Sequence, residues 1–129
     1  LYADALWLEK YSDTVMSEAV HSIFVERVVK PVVLGEESDE ILVAQIEETK
    51  LPQVLSYLND WLTNRNTHAL VSNDLSIADF AIVNQMIGLD ASNVKWRGAS
   101  YSALESYVAR MMNETSIRKA IPVMLQPQG

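Results

Sequence analysis

Apolar side chains recur along most of this chain at the three- and four-residue spacing of amphipathic helices, and no segment alternates convincingly as a β-strand does. The first such pattern predicts a helix over residues 4–30, ended by Pro31 and followed by a turn at Gly35. Its apolar positions form a broad face, which indicates contact with more than one neighbour. They are Leu6, Trp7, Leu8, Tyr11, Val15, Met16, Val20, Ile23, Phe24, Val28 and Val29.

A second helix is predicted over residues 38–64, because apolar residues again follow the helical spacing. Ser38 fits the N-cap, and Asp39 and Glu40 are acidic residues of the first turn, where they favour the helix dipole. Pro52 lies inside the segment and removes one backbone donor. Since the apolar pattern continues in phase on both sides of it, we expect a kink there.

The most informative stretch follows a predicted loop over residues 67–74. Ser76 fits the N-cap of a helix and Asp79 fits the third position, from which its carboxylate can reach back to the N-cap backbone. This arrangement is a capping box with Asp in place of Glu. Leu75 and Phe80 fit the two positions of a hydrophobic staple, which fixes the angle at which the chain enters the helix. These four residues are therefore predicted to be structural.

The helix that begins there is apolar on nearly all sides over residues 77–87, which places it at the centre of the domain. An irregular segment is predicted over residues 88–98. Two further helices follow, over residues 102–113, with Ser102 and Glu105 as a second candidate capping box, and over residues 116–121. The predicted fold is all-α: one domain over residues 1–129, a helical bundle around a central buried helix.

Composition and charge exclude several classes of function. A chain of 129 residues, 49 % of them hydrophobic, can form a packed core without disulfides or metal. The absence of cysteine excludes disulfides, thiolate metal sites and a cysteine nucleophile, and it fits a reducing compartment. A net charge of −7 argues against nucleic acid and anionic membrane surfaces as partners. No apolar run approaches the roughly 18 residues that a membrane span needs.

Chemical motifs are scarce as well. His21 and His68 lie far apart, so a zinc site has no clear ligand set, and we predict no metal site. No Gly-x-Ser-x-Gly elbow and no glycine-rich phosphate loop is present, so we predict no catalytic residue in this chain. His68 is expected to be solvated, and the three tryptophans are expected to serve packing.

Taken together, several stretches resemble the C-terminal domain of glutathione S-transferases, mostly those of bacterial type. Each motif is weak by itself, but they occur in the family's order and cover essentially the whole chain. The chain departs from the family pattern before the cap, where only the Asp of a Gly-Asp pair is kept, and at Ser102, where a proline is usual. The stretches are residues 5–14, residues 28–31 with Gly35, Leu51 with Pro52, residues 75–80, which are the most specific, and residues 101–117.

The resemblance implies that glutathione is a co-substrate of a larger protein. In this family a thioredoxin-like N-terminal domain binds most of glutathione and supplies the Tyr, Ser or Cys that stabilises its thiolate. No such domain fits within residues 1–129, and a chain that opens on Leu1 is expected to be a fragment. The chain would then be part of a glutathione transferase, or of a relative that uses glutathione differently. A cytoplasmic homodimer is the assembly that the resemblance implies.

The helical domain of this family contributes the pocket for a hydrophobic electrophile, chiefly from its first helix. By position the pocket residues here would be Ser17, Val20, His21 and Phe24. Ser17, His21 and Phe24 are spaced to share one helix face. Alternatives stay open, since His21 also fits a surface or dimer face and Phe24 also fits the core or an interface. The same fold also serves as a non-catalytic protein-interaction module, which is the rival function.

Overall fold

The computed structural model describes residues 2–98 and 100–120, and this part of the chain is all-α, without strands. The first helix is longer than predicted and runs without a break from Tyr2 to Leu34. Along it, two π-helical segments alternate with two α-helical ones. Its parts are α1 (Tyr2–Tyr11), the first π-helical segment (Ser12–Met16), α2 (Ser17–Phe24) and the second π-helical segment (Val25–Leu34).

The prediction that Pro31 ends this helix is wrong. Proline disrupts an α-helix because its ring meets the carbonyl four residues earlier, here that of Arg27. Pro31 lies inside the second π-helical segment, where the wider turn moves that carbonyl away. The helix ends instead at Gly35, whose left-handed backbone (φ +67°) favours glycine, and the Glu36 backbone N–H donates to the Lys30 carbonyl at 2.8 Å.

The second predicted helix consists of two helices, α3 (Glu40–Glu48) and α4 (Lys50–Thr63), separated at Thr49. Pro52 does not kink one continuous helix; it is the third residue of α4, where a missing N–H costs little. The carbonyl four residues before Pro52 belongs to Glu48, the last residue of α3, which explains why the break lies there. The N-cap of α3 is Asp39 rather than Ser38, since the Asp39 carboxylate accepts from the Leu42 backbone N–H at 3.1 Å.

The central helix is α5 (Ile77–Ala91), which packs against α1, α2 and α6. It extends past the predicted end, so Gly88 lies inside the helix and not in an irregular segment. A Cβ atom at Gly88 would lie 3.2 Å from Val20 Cγ1, so the missing side chain lets the first helix approach closely. The prediction of a central buried helix is confirmed. Its buried residues are Ala78, Asp79, Ile82, Val83, Met86, Ile87, Gly88 and Leu89.

The last described helices are α6 (Ser102–Met112) and α7 (Thr115–Ala120). The N-cap of α6 is Tyr101, so Ser102 is not a cap. Glu105 does not reach back to a cap residue either; its carboxylate accepts from the Gly98 backbone N–H at 3.1 Å. The predicted end of the last helix, at Ile121, lies outside the described residues. Within the described ranges, no helix has the length and apolar character needed to cross a membrane.

Candidate functional site

Asp79 is the most completely enclosed polar group near the start of α5, and its carboxylate accepts hydrogen bonds from three parts of the chain. The Ser76 backbone N–H donates to it at 2.9 Å and the Ser76 hydroxyl at 3.3 Å. The Leu70 backbone N–H donates at 3.0 Å, and the Tyr107 hydroxyl at 2.6 Å. Four uncharged donors thus surround one buried carboxylate, so neither of its oxygens is left without a hydrogen bond.

Tyr107 is the second buried member of this network, and it arrives from α6. Burial raises the pKa of Tyr107 well above its ordinary value, and the charge and hydrogen bond of Asp79 raise it further. The phenol therefore stays protonated and acts as a donor, not as a base. The network joins the start of α5, the preceding loop and α6, so its role is to hold the fold together.

The staple residues lie apart from this network. Leu75 is half-buried and packs against the core. Phe80 is 36 % exposed and lines an open cavity of about 480 Å³ between α1, α5 and α7. This cavity was not predicted from the sequence, although the apolar residues on the outer face of α5 were a signal for it. Its walls are apolar apart from one carboxylate and one amide, and its lining residues are Glu9, Ile77, Phe80, Ala81, Val83, Asn84, Ile87, Ile117 and Ala120.

The four residues predicted to hold an electrophile lie on α2, and none of them is among the residues that line the cavity beside Phe80. Val20 is only 4 % exposed and faces Gly88, so it belongs to the core side of the helix. Ser17, His21 and Phe24 lie on the neighbouring, more exposed face of the same α-helical segment. Within the described chain, neither Ser17 nor His21 makes a side-chain hydrogen bond or an ion pair. The structure therefore brings three of the four residues together on one accessible face.

A second cavity, of about 350 Å³, is polar and lies where the loop before α5 meets the end of α6. His68 was expected to be solvated; its side chain is 40 % exposed, but its Nε2 also lies 2.5 Å from a carboxylate oxygen of Glu114, a partner that was not predicted. Arg110 Nε donates to the His68 carbonyl at 3.3 Å. These contacts fix the loop against α6. Among the described residues, no group of three or more His, Asp or Glu side chains is placed to hold a metal ion.

The comparisons with known proteins identify a family. The family described as "Glutathione S-transferase, C-terminal domain" matches residues 24–121. The match includes Phe24, the capping residues Ser76 and Asp79 and all of α3 to α7, whereas Ser17 and His21 precede it. Comparisons with curated proteins and with solved structures give no match.

Proposed function

Because this chain belongs to the glutathione S-transferase C-terminal domain family, we propose that it is the electrophile-binding and dimerisation half of a glutathione-dependent enzyme. In this proposal glutathione is the co-substrate of the complete enzyme and is bound mostly by a thioredoxin-like domain outside residues 1–129. The electrophile is a hydrophobic small molecule. It is held against the face of α2 that carries Ser17, His21 and Phe24, with Val20 behind that face.

The observation that carries the proposal is that the polar side chains on this face of α2 have no hydrogen-bond partner within the described chain. Phe24 offers apolar contact, while Ser17 and His21 offer a hydroxyl and an imidazole without partners in the described chain. Ligand pockets combine apolar walls with a few polar groups of this kind. Thiolate activation is assigned to the other domain, because in this family the thioredoxin-like domain supplies the Tyr, Ser or Cys that stabilises the thiolate.

An NMR titration of this chain with a halogenated nitroarene tests where the electrophile binds. We expect the largest shifts at Ser17, His21 and Phe24, and we expect Phe24→Ala to weaken binding by about fivefold to tenfold, the effect of losing one aromatic wall. Phe80→Ala is the matched control, because Phe80 is the other phenylalanine of the chain and is also partly exposed. If Phe80→Ala weakens binding and Phe24→Ala does not, the ligand occupies the cavity beside α5 and the assignment to α2 is wrong.

The coding sequence upstream of Leu1 separates this proposal from its rival, a non-catalytic interaction module with the same fold. A thioredoxin-like βαβ segment with a Tyr, Ser or Cys at its active position supports the enzyme. A native gene without such a segment supports the module. The rival is favoured by one observation, the strongly exposed apolar residues Val32 and Val33 on the last turn of the first helix.

A further inference from the structure

The last turn of the first helix and the first turn of α3 present large apolar side chains to solvent. Val32, Val33 and Leu34 are 77, 70 and 58 % exposed, and Ile41, in the first turn of α3, is 75 % exposed. We call these four residues the tip surface. Scattered single apolar residues are common on protein surfaces, but three consecutive, strongly exposed ones at the end of a helix form an apolar patch of the kind that marks interaction sites.

The tip surface is held rigidly. Val32 and Val33 lie on the last turn of the first helix, which Gly35 and the bond from Glu36 to Lys30 close. The start of α3 is fixed to the first helix, because the Asp39 backbone N–H donates to Glu26 Oε1 at 2.8 Å. A surface that is already ordered loses little conformational entropy when a partner binds.

Charges around the tip surface are arranged asymmetrically. Both nearby cations are neutralised within the chain, since Arg27 pairs with Glu40 at 2.9 Å and Lys30 pairs with Glu26 at 2.8 Å. Glu36 and Glu37 are exposed and, within the described residues, take part in no ion pair. The rim of the tip surface therefore carries net negative charge that a partner can complement.

We propose that the tip surface docks a protein helix whose apolar side is bordered by Lys and Arg. The apolar part of such a helix covers Val32, Val33 and Ile41, and its basic border meets Glu36 and Glu37. A second copy of this chain is a poor occupant, because it brings the same acidic rim and like charges across an interface repel. The proposal is independent of the electrophile face on α2 and holds for either candidate function.

Binding of a synthetic amphipathic peptide with Leu on one face and Lys on the other tests this proposal by NMR. We expect the peptide to shift signals of residues 32–41, and the double variant Val32→Ser, Val33→Ser to weaken binding at least about tenfold. The reversal Glu36→Lys, Glu37→Lys should weaken it by a similar factor. The matched control is Leu6→Ser, Val15→Ser, which removes two exposed apolar residues elsewhere on the first helix and should leave binding unchanged.

Three results would overturn the proposal. The first is an absence of shifts at residues 32–41, and the second is equal weakening by the control variant. The third is a loss of self-association in the Val32→Ser, Val33→Ser variant, since that result would assign the tip surface to a second copy of the chain. All substituted side chains are exposed, so thermal melts recorded at a protein concentration too low for self-association should match the wild type and separate lost binding from lost folding.

Discussion

At the scale of single residues, Asp79 links three parts of the chain through one buried carboxylate. Removing it leaves the Leu70 N–H, the Ser76 N–H and the Tyr107 hydroxyl without their acceptor. We therefore expect Asp79→Ala to lower the free energy of unfolding by about 3–5 kcal/mol, more than an ordinary helix cap contributes. Ser76→Ala should cost only about 1 kcal/mol, because the Ser76 side chain contributes an ordinary N-cap in the capping box and one bond of 3.3 Å to Asp79. Urea unfolding measures both values, and equal effects of the two variants would contradict this ranking.

Tyr107 gives the network a dependence on alkaline pH. Its folded-state pKa is raised above the ordinary value of 10.0, so its contribution to stability is complete below that pH and declines as the pH rises toward the folded-state pKa. We expect the unfolding free energy of the wild type to fall more steeply than that of Tyr107→Phe as the pH rises above about 10. Parallel pH profiles for the two proteins would show that the phenol is not held protonated by burial.

The residue pattern of the sequence was sufficient to place Ser76 and Asp79 together, because a capping box is local. It was not sufficient to find the other donors. Leu70 lies nine residues before Asp79, in a loop with no periodic pattern, and Tyr107 lies 28 residues after it, on another helix. Such contacts depend on how α5 and α6 pack, and a helical spacing in the sequence does not contain that information.

At the scale of helices, the two internal prolines illustrate the limits of local rules. Pro31 was expected to end the first helix, but the helix continues past it. Pro52 was expected to kink one continuous helix, but the segment is divided into α3 and α4. Pro31 is accommodated because the surrounding turn is π-helical. No residue type in the segment predicts a π-helical turn. Pro52 separates α3 from α4 because the clash falls on the carbonyl of Glu48, four residues upstream.

Gly88 sets the distance between α5 and the first helix. An added Cβ would lie 3.2 Å from Val20 Cγ1, a contact that a small shift can relieve, while alanine favours the helix by about 1 kcal/mol. We therefore expect Gly88→Ala to change stability by less than about 1 kcal/mol, and Gly88→Leu to destabilise by about 2–3 kcal/mol through overpacking. Thermal unfolding checks both values. A tolerated leucine would mean that the two helices can move apart freely.

For the whole molecule, the all-α class and the buried central helix were predictable because α5 is apolar nearly all round. The cavity beside Phe80 and the pairing of His68 with Glu114 were not, since they arise where separate helices meet. The three residues Ser17, His21 and Phe24 share a face because they lie in one α-helical segment. Val20, in contrast, faces the core because of its contact with Gly88, which lies on a different helix.

The exposed apolar side chains Leu6, Trp7 and Val15 on the first helix lead to a prediction about assembly. We expect the chain to self-associate, most simply as a two-fold homodimer through the first helix and the α3–α4 pair, because such surface is uncommon on monomers. Sedimentation over about a hundredfold range of concentration should show a monomer–dimer equilibrium. A single monomeric species at the highest concentration would mean that these side chains serve another contact.

The central claim is that this chain supplies the electrophile-binding half of a glutathione-dependent enzyme and no group that activates the thiol. The most direct test is the initial rate of conjugation between glutathione and an aromatic electrophile in the presence of this chain alone, purified free of host transferases. Because no residue of the chain is assigned to thiolate activation, we predict a rate equal to that of the uncatalysed reaction. A rate that rises in proportion to the concentration of the chain would contradict the claim and would place a catalytic group within these 129 residues.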